Sequence, residues 1–462
     1  MRRINEAAAP LRKMTSTQIM MLSFFGAILV GTLLLLIPAA TVRGEHTSFL
    51  TALFTATTSI CVTGLVVVDT FSHWSFLGQA VILILIQAGG FGIITLYSMA
   101  MMALHRKFTL RTRVLIQDYY NLGSIQGLLP FLARVVKDVL IMEGIGAVLY
   151  SFVFIPRLGP GKGLWASIFT AISAFCNAGI DVLGPDSLIP FRDNVWINFV
   201  TMMLIIIGGL GFVVWFDVLD KAKLSYKKKY SLRTFLKRLS EHSKLVLTLT
   251  LFFLISGWIL VAVFEWNNPE TIGELSVGGK LMTSLFQSVT FRTAGFATIP
   301  QENLSSPTAL LGCLYMFVGG SPVGTAGGIK TVTIFIVFLN MFTFIRDRSE
   351  AVVYGRAVSE KLINKSTAIV TFNLILTVTL TVLLMQFEHV PALTAAYEMF
   401  SATGTVGLSR ALTQTLHPAG KLLVMIGMYA GRIGPISMAL AFNTRHSSKN
   451  EIKFADGRFI VG

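Results

Sequence analysis

Long apolar stretches alternate with short basic ones along this chain. Largely uncharged runs extend from Gln18 to Pro38, Ser75 to Leu104, Val139 to Pro156, Trp196 to Phe216, Leu245 to Phe264, Leu310 to Ile345, Ser366 to Phe387 and Leu422 to Phe442. Each is long enough to cross roughly 30 Å of hydrocarbon as a helix. The pattern predicts an all-α membrane protein with eight transmembrane spans. Between the two spans of each successive pair lies a further apolar segment of about ten residues, too short to cross. Such a segment is expected to be re-entrant.

These shorter segments resemble one another. Phe54-Thr-Ala-Thr-Thr-Ser-Ile-Cys-Val-Thr-Gly64, Phe169-Thr-Ala-Ile-Ser-Ala-Phe-Cys-Asn-Ala-Gly179, Phe286-Gln-Ser-Val-Thr-Phe-Arg-Thr-Ala-Gly295 and Tyr397-Glu-Met-Phe-Ser-Ala-Thr-Gly-Thr-Val-Gly407 align on their terminal glycines. By subtraction the glycines are 115, 116 and 112 residues apart. An aromatic precedes each glycine by ten residues, or nine in the third copy, and a hydroxyl residue (Thr58, Ser173, Thr290, Ser401) by six or five. One such loop reads as an ordinary turn between helices; four at near-constant spacing read as four tandem helix, pore helix, filter, helix repeats around one pore. Irregular backbone at membrane depth is tolerated where it is buried in protein or lines a water-filled path. Four loops around a pseudo-fourfold axis can aim carbonyl oxygens at a common centre and replace the hydration shell of a cation. The filter residues expected to bind a cation through their backbone are therefore Cys61, Val62, Thr63 and Gly64; Cys176, Asn177, Ala178 and Gly179; Arg292, Thr293, Ala294 and Gly295; and Gly404, Thr405, Val406 and Gly407.

The organisation that follows is an N-terminal segment 1–17, repeat 1 over 18–104, a linker 105–137, repeat 2 over 138–220, a linker 221–244, repeat 3 over 245–345, a linker 346–365, repeat 4 over 366–443 and a tail 444–462. Within repeat 3 the run from Leu310 to Ile345 is longer than one crossing needs. It is interrupted by Gly319-Gly320-Ser321-Pro322-Val323-Gly324-Thr325-Ala326-Gly327-Gly328-Ile329-Lys330, with five glycines and a proline. A continuous helix is not expected there. The segment reads either as a gate that moves aside below the filter or as a static kink. Its resemblance to a phosphate-binding loop is superficial, because Ile329 separates glycine from lysine and no strand precedes it. Arg432, in the last span, is expected to face a water-filled cavity or a carboxylate, where it would act either as an electrostatic barrier beneath the filter or as a paired structural arginine. Asp69 reads as a cation attractor or a turn cap, and Glu143, Asp217 and Glu398 as structural.

Composition adds a direction. The chain is 53% hydrophobic and 13% charged, with a mean hydropathy of +0.70, well outside the range of soluble domains. A net charge of +15 suggests nucleic acid until the basic residues are located: Arg2 to Lys13, His105 to Arg113, Lys221 to Lys244, Arg346 to Lys365 and the tail after Arg445 hold most of them. By the positive-inside rule both termini and these linkers are expected in the cytoplasm of a multi-pass cell-membrane protein. The basic N-terminus and first apolar run read as a retained span, since no small-residue cleavage site follows. The cysteines Cys61, Cys176 and Cys313 lie in apolar segments without metal-ligand spacing. No catalytic constellation can be assembled, so no enzyme is expected and no organic cofactor in this chain.

At these residues the sequence resembles the Ktr/Trk/HKT superfamily of potassium transporters, most closely its KtrB-type membrane subunits. The likeness rests on Cys61-Val-Thr-Gly-Leu65 with Asp69 following, Asn177-Ala-Gly179, Arg292-Thr-Ala-Gly295-Phe, Gly404-Thr-Val-Gly407-Leu, the segment Gly319 to Lys330, and Gly431-Arg-Ile-Gly-Pro435. The resemblance implies potassium uptake through a gated pore, with sodium stimulation, in a homodimer seated on a cytoplasmic ring of nucleotide-binding, KtrA-type regulatory subunits, the tail Phe454 to Gly462 taking part in the dimer contact. It also implies that the gate comprises Gly319, Gly320, Ser321, Pro322, Gly324, Thr325, Gly327, Gly328, Lys330 and Arg432. The third residue before each filter glycine varies as Cys61, Cys176, Arg292 and Gly404, a less uniform filter than that of a tetrameric potassium channel. Two alternatives of other classes are a secondary transporter of another small cation or solute, for which two inverted or parallel repeats would be usual, and a membrane receptor or scaffold, which would need no matched loops.

Overall fold

The computed structural model describes residues 15–92 and 127–434, with a few isolated positions between them. The linker 105–137 therefore lies mostly, and the tail 444–462 wholly, outside the described residues.

Within that range one order of elements recurs four times: a long helix, a short helix, a loop, and a second helix or broken helix. The first set is α1 (Ser16–Leu35), α2 (Phe49–Ile60) and α3 (Phe76–Phe91); the second α4 (Leu128–Leu158), α5 (Pro160–Cys176), α6 (Val195–Gly209) and α7 (Phe212–Lys228), followed by the short α8 (Leu232–Arg238). The third comprises α9 (Glu241–Glu265), α10 (Val277–Thr290), α11 (Ser306–Phe317) and α12 (Thr331–Ile345), and the fourth α13 (Glu360–Glu388), α14 (Ala392–Gly404) and α15 (Pro418–Ile433). A two-residue-per-strand hairpin, β1 (Val352–Val353) with β2 (Arg356–Ala357), separates the last two sets.

Local sequence sets the starts of these helices. Thr15 and Gln18 form a reciprocal capping box at α1, and Ser48, Ser75, Asn194, Ser240, Ser276 and Ser305 cap α2, α3, α6, α9, α10 and α11 through their side chains, each satisfying an orphan amide of the first turn.

Among the described residues four helices, α1, α4, α9 and α13, are long and apolar enough to cross a membrane. They carry exposed Leu33, Phe152, Val263 and Ile375, an apolar exterior of the kind a bilayer covers. The short helices are the core: Phe54, Phe169, Phe286 and Tyr397, the four aligned aromatics, are all 0% exposed.

The return segments differ from the continuous spans expected of them. The run from Trp196 to Phe216 is two helices, α6 and α7, bent by 102°. The cause is Gly208-Gly209-Leu210-Gly211: Gly211 has φ 89°, and a methyl group there would strike the carbonyl of Pro322. Helices α3 and α15 likewise stop at Gly92 and Gly434, at φ 79° and 91°, conformations that glycine adopts at little cost. Beyond Gly92 the run ending at Leu104 is described only at scattered positions, and the run ending at Phe442 is not described beyond Gly434.

Candidate functional site

The four short helices bring their C-terminal ends together, and the loops after them carry Gly64, Gly179, Gly295 and Gly407. A methyl group on Gly64 would lie 2.5 Å from the carbonyl oxygen of Ala178, one on Gly179 2.7 Å from that of Ala294, and one on Gly295 2.6 Å from that of Val406. One on Gly407 would overlap the carbonyl oxygen of Thr63. Each glycine thus abuts the residue just before the next glycine, and the fourth returns to the first. The loops form a closed ring in chain order.

Backbone conformation repeats around the ring. Val62 and Gly64 have φ 55° and 97°, Asn177 and Gly179 59° and 64°, Thr293 and Gly295 66° and 81°, Thr405 and Gly407 50° and 98°. In an extended strand successive residues alternate in direction; a left-handed residue at every second position turns successive carbonyl oxygens to the same side. For the β-branched Val62, Thr293 and Thr405 this conformation costs about 1–3 kcal/mol each, so surrounding contacts must impose it.

Those contacts come from the ends of the short helices. The amides of Thr63, Ala178 and Val406 donate to the carbonyls of Thr58, Ser173 and Ser401 at 2.8–2.9 Å, wrapping the chain back over the last helical turn. The hydroxyls of the same residues accept from the amides of Gly64, Ile180 and Gly407, each at 3.1 Å. The third loop is tighter by one residue: Ala294 donates to the Thr290 carbonyl, and the Thr290 hydroxyl donates to Phe296 oxygen at 2.7 Å. Because all four helices end here, their partial negative charges face the ring, a field that favours a cation.

On one side of the ring is a cavity of about 150 Å³ bordered by the four glycines together with Asp69, Asp181, Ser187 and Gln301. Asp69 accepts from the amide of Ser72 at 2.9 Å, so it caps a helical turn and faces the mouth at once. Asp181 accepts from the Ser187 hydroxyl at 2.7 Å and the Leu183 amide at 3.1 Å. Burial pushes its carboxyl up to about 6, against the two hydrogen bonds and with a further push from Asp69.

On the other side, the segment between α11 and α12 crosses beneath the ring. Its neck is closed by the Gly319 amide donating to Ile329 oxygen at 2.9 Å and the Thr331 amide to Gly320 oxygen at 3.1 Å. The bend between α6 and α7 holds its body: Ser321 and Thr325 donate to the carbonyls of Gly209 and Gly208 at 2.9 and 3.1 Å, and Phe212 to Val323 oxygen at 3.0 Å. Gly324 packs on the Gly208 carbonyl, and Gly327 and Gly328 lie against Thr405 and Gly404, so close that a methyl on Gly327 would overlap the Thr405 hydroxyl. The Thr325 hydroxyl lies 3.0 Å from the Phe175 carbonyl and 3.1 Å from Asn177 Oδ1. Lys330 Nζ donates within the loop to Ala326 oxygen at 2.6 Å. Arg432 has no carboxylate partner among the described residues; Nη1 donates to Thr325 oxygen at 2.7 Å and Nη2 to the carbonyl of Gly89.

The residues singled out in the sequence therefore fall into layers: the four glycine loops in the ring, Asp69 beside the cavity on one face, and the segment 319–330 with Arg432 on the other. Three side chains point elsewhere. Cys61 and Cys176 are buried behind their loops, Cys176 Sγ lying 3.8 Å from Glu143 Oε1, and the Arg292 guanidinium turns toward α9, 6.0 Å from the Phe253 ring centroid. Glu143, mid-helix in α4, accepts from Gln87 at 3.0 and 3.1 Å, Glu398 from Ser409 at 2.6 Å and Asp217 from the Ser240 amide at 2.9 Å. The carbonyls of Gly89, Gly208 and Gly209, which anchor Arg432 and the crossing loop, were not singled out in the sequence; the recurring Gly-Gly-x-Gly at 89–92 and 208–211 is the signal that marks them. Among the described residues no group of three or more His, Cys, Asp or Glu could hold a metal ion.

A family model for TrkH, described as a cation transport protein, matches residues 3–453. The potassium/sodium uptake protein NtpJ of Enterococcus hirae is 36% identical over 456 residues, covering 98% of each chain. The Ktr system potassium uptake protein B of Bacillus subtilis is 35% identical over 450 residues, 97% of each. In three dimensions the chain is similar to the crystal structure of the potassium transporter TrkH from Vibrio parahaemolyticus, with a TM-score of 0.71 at 16% identity over 91% of this chain and 84% of that one.

Proposed function

The chain belongs to the TrkH family of cation transport proteins, and we propose that it takes up potassium through a gated pore whose filter is the ring of Gly64, Gly179, Gly295 and Gly407. The closed contact of the four loops carries this reading. Relatives named as potassium or potassium/sodium uptake proteins, matched over nearly their whole length, support the ion and the direction.

In this reading the molecule is a multi-pass membrane protein of four helix, pore helix, filter, helix units, with glycines where the first helix of each return segment ends. The mouth with Asp69 and Asp181 faces outward and concentrates cations. Potassium sheds its water against the filter carbonyls, favoured by the ends of the four short helices. The membrane potential drives it inward, about 2.3 kcal/mol per unit charge for each 100 mV, so no covalent chemistry is required. The crossing loop 319–330 is the gate and Arg432 its latch. Arg292 turns away from the ring, so the sequence difference at that position adds no charge to the filter; sodium enters as a co-ion, in keeping with the relative whose name carries both ions.

Both termini and the basic linkers belong in the cytoplasm, on the strength of the lysines and arginines between spans. The chain works as a homodimer on a cytoplasmic, nucleotide-binding, KtrA-type ring, in keeping with a relative named as one protein of a Ktr system. The test is potassium uptake in cells lacking their own high-affinity systems, with this chain and its regulatory partner produced together. Restored growth on low potassium is expected; failure with both proteins present overturns the reading.

A further inference from the structure

The bend between α6 and α7 has a second side. The fifteen residues of α6 rise about 22 Å, and the 102° bend then sends α7 nearly perpendicular to it. With α6 on the way across a membrane of roughly 30 Å, α7 runs along the surface that the proposed topology assigns to the cytoplasm.

Behind this corner, bordered by no residue of the crossing loop, is a cavity of about 910 Å³, within the range of roughly 300–1,000 Å³ of small-molecule sites. Its apolar wall includes Ile141 and Met142 of α4, Ile207, Leu210 and Val214 of the corner, and Leu247 of α9. It opens toward the membrane, since Leu140, Ile141 and Ile145 of α4 are exposed apolar side chains. Its rim is charged. Arg134 is taken up by Asp220 at 2.7 and 3.1 Å and by Asp138 at 3.7 Å. Lys137 and Lys223 are exposed on the same rim and form no ion pair among the described residues. An apolar cavity open to hydrocarbon, with two unpaired ammonium groups at its water side, fits an amphiphile with a negative head.

We propose that this corner binds an anionic phospholipid, one acyl chain lying along Ile141, Leu210 and Val214 and the phosphate between Lys137 and Lys223. The inference rests on the transport reading only for the side of the membrane. The site backs the corner whose Gly208 and Gly209 carbonyls hold the crossing loop, so its occupant bears on the element that the loop leans against.

Native mass spectrometry of the full-length protein in detergent, titrated with phosphatidylglycerol or with phosphatidylcholine of the same chains, tests it. Wild type is expected to hold phosphatidylglycerol at least about 10-fold more tightly, each lysine contributing roughly 5-fold. Lys137→Gln with Lys223→Gln is expected to abolish the preference, and Val218→Trp, a bulkier side chain in the cavity wall, to weaken both lipids. No preference in wild type, a preference surviving both lysine changes, or unchanged binding in the Trp variant overturns the proposal. Loss of a cytosolic protein partner from the lysine variant with lipid preference intact overturns it too, in favour of a protein-docking rim. Potassium flux into phosphatidylcholine proteoliposomes reports separately on transport.

Discussion

Arg432 Nη1 donates to the carbonyl oxygen of Thr325 at 2.7 Å, tying the last helix to the loop that crosses beneath the glycine ring. With Nη2 on the carbonyl of Gly89, the guanidinium joins the first, third and fourth sets of helices at one point. A charged donor on a carbonyl is worth about 1.5–3 kcal/mol, enough to decide whether a loop of five glycines stays in place.

Arg432→Gln is therefore expected to raise potassium flux in proteoliposomes by about 10-fold, as the loop is released. Unaltered flux and potassium affinity would show that Arg432 neither latches the loop nor sets a barrier.

Gly64→Ala places a methyl group 2.5 Å from the Ala178 carbonyl at a residue with φ 97°. It is expected to abolish potassium transport while the protein still reaches the membrane. Gly144→Ala, where nothing lies within 4 Å, serves as control; flux should be unchanged and thermal stability slightly raised, by up to about 1 kcal/mol.

Ser401→Ala removes the hydroxyl that accepts from the Gly407 amide. Leaving that amide unpaired costs about 1–3 kcal/mol, localised at the fourth loop of the glycine ring. Competition flux measurements should show potassium preference over sodium falling several-fold, with melting temperature little changed.

Asp181 links the mouth to pH. Its carboxyl is held up to about 6, so it is ionised above that value and neutral below it. Apparent potassium affinity should fall as external pH drops from 7 to 5, and Asp181→Asn should show the low-pH affinity throughout.

The ring was legible because its demands are local. A residue with φ near 97° in contact with two other loops must be glycine, and a hydroxyl at the end of each short helix must sit at a fixed distance from it. Both recur in the sequence, and the third copy's shorter spacing matches the tighter turn at Thr290 and Ala294. The bend of α6 on α7 was not read from the sequence, because the run from Trp196 to Phe216 is uncharged and hydropathy carries no record of Gly211 turning left-handed; only the Gly-Gly-x-Gly at 208–211 marks the place. Arg432 could be placed in a span, yet its partner Thr325 is 107 residues away; a buried cation predicts a partner but not a backbone carbonyl. The outward turn of Arg292 toward Phe253 is likewise a matter of packing between α9 and α10.

The most direct measurement locates the ion. Rubidium, a heavy substitute for potassium, should give anomalous density on the axis between Gly64, Gly179, Gly295 and Gly407 in crystals of the protein, and Gly64→Ala crystals should lose it. Rubidium density elsewhere in the molecule, with none inside the glycine ring, would contradict the account.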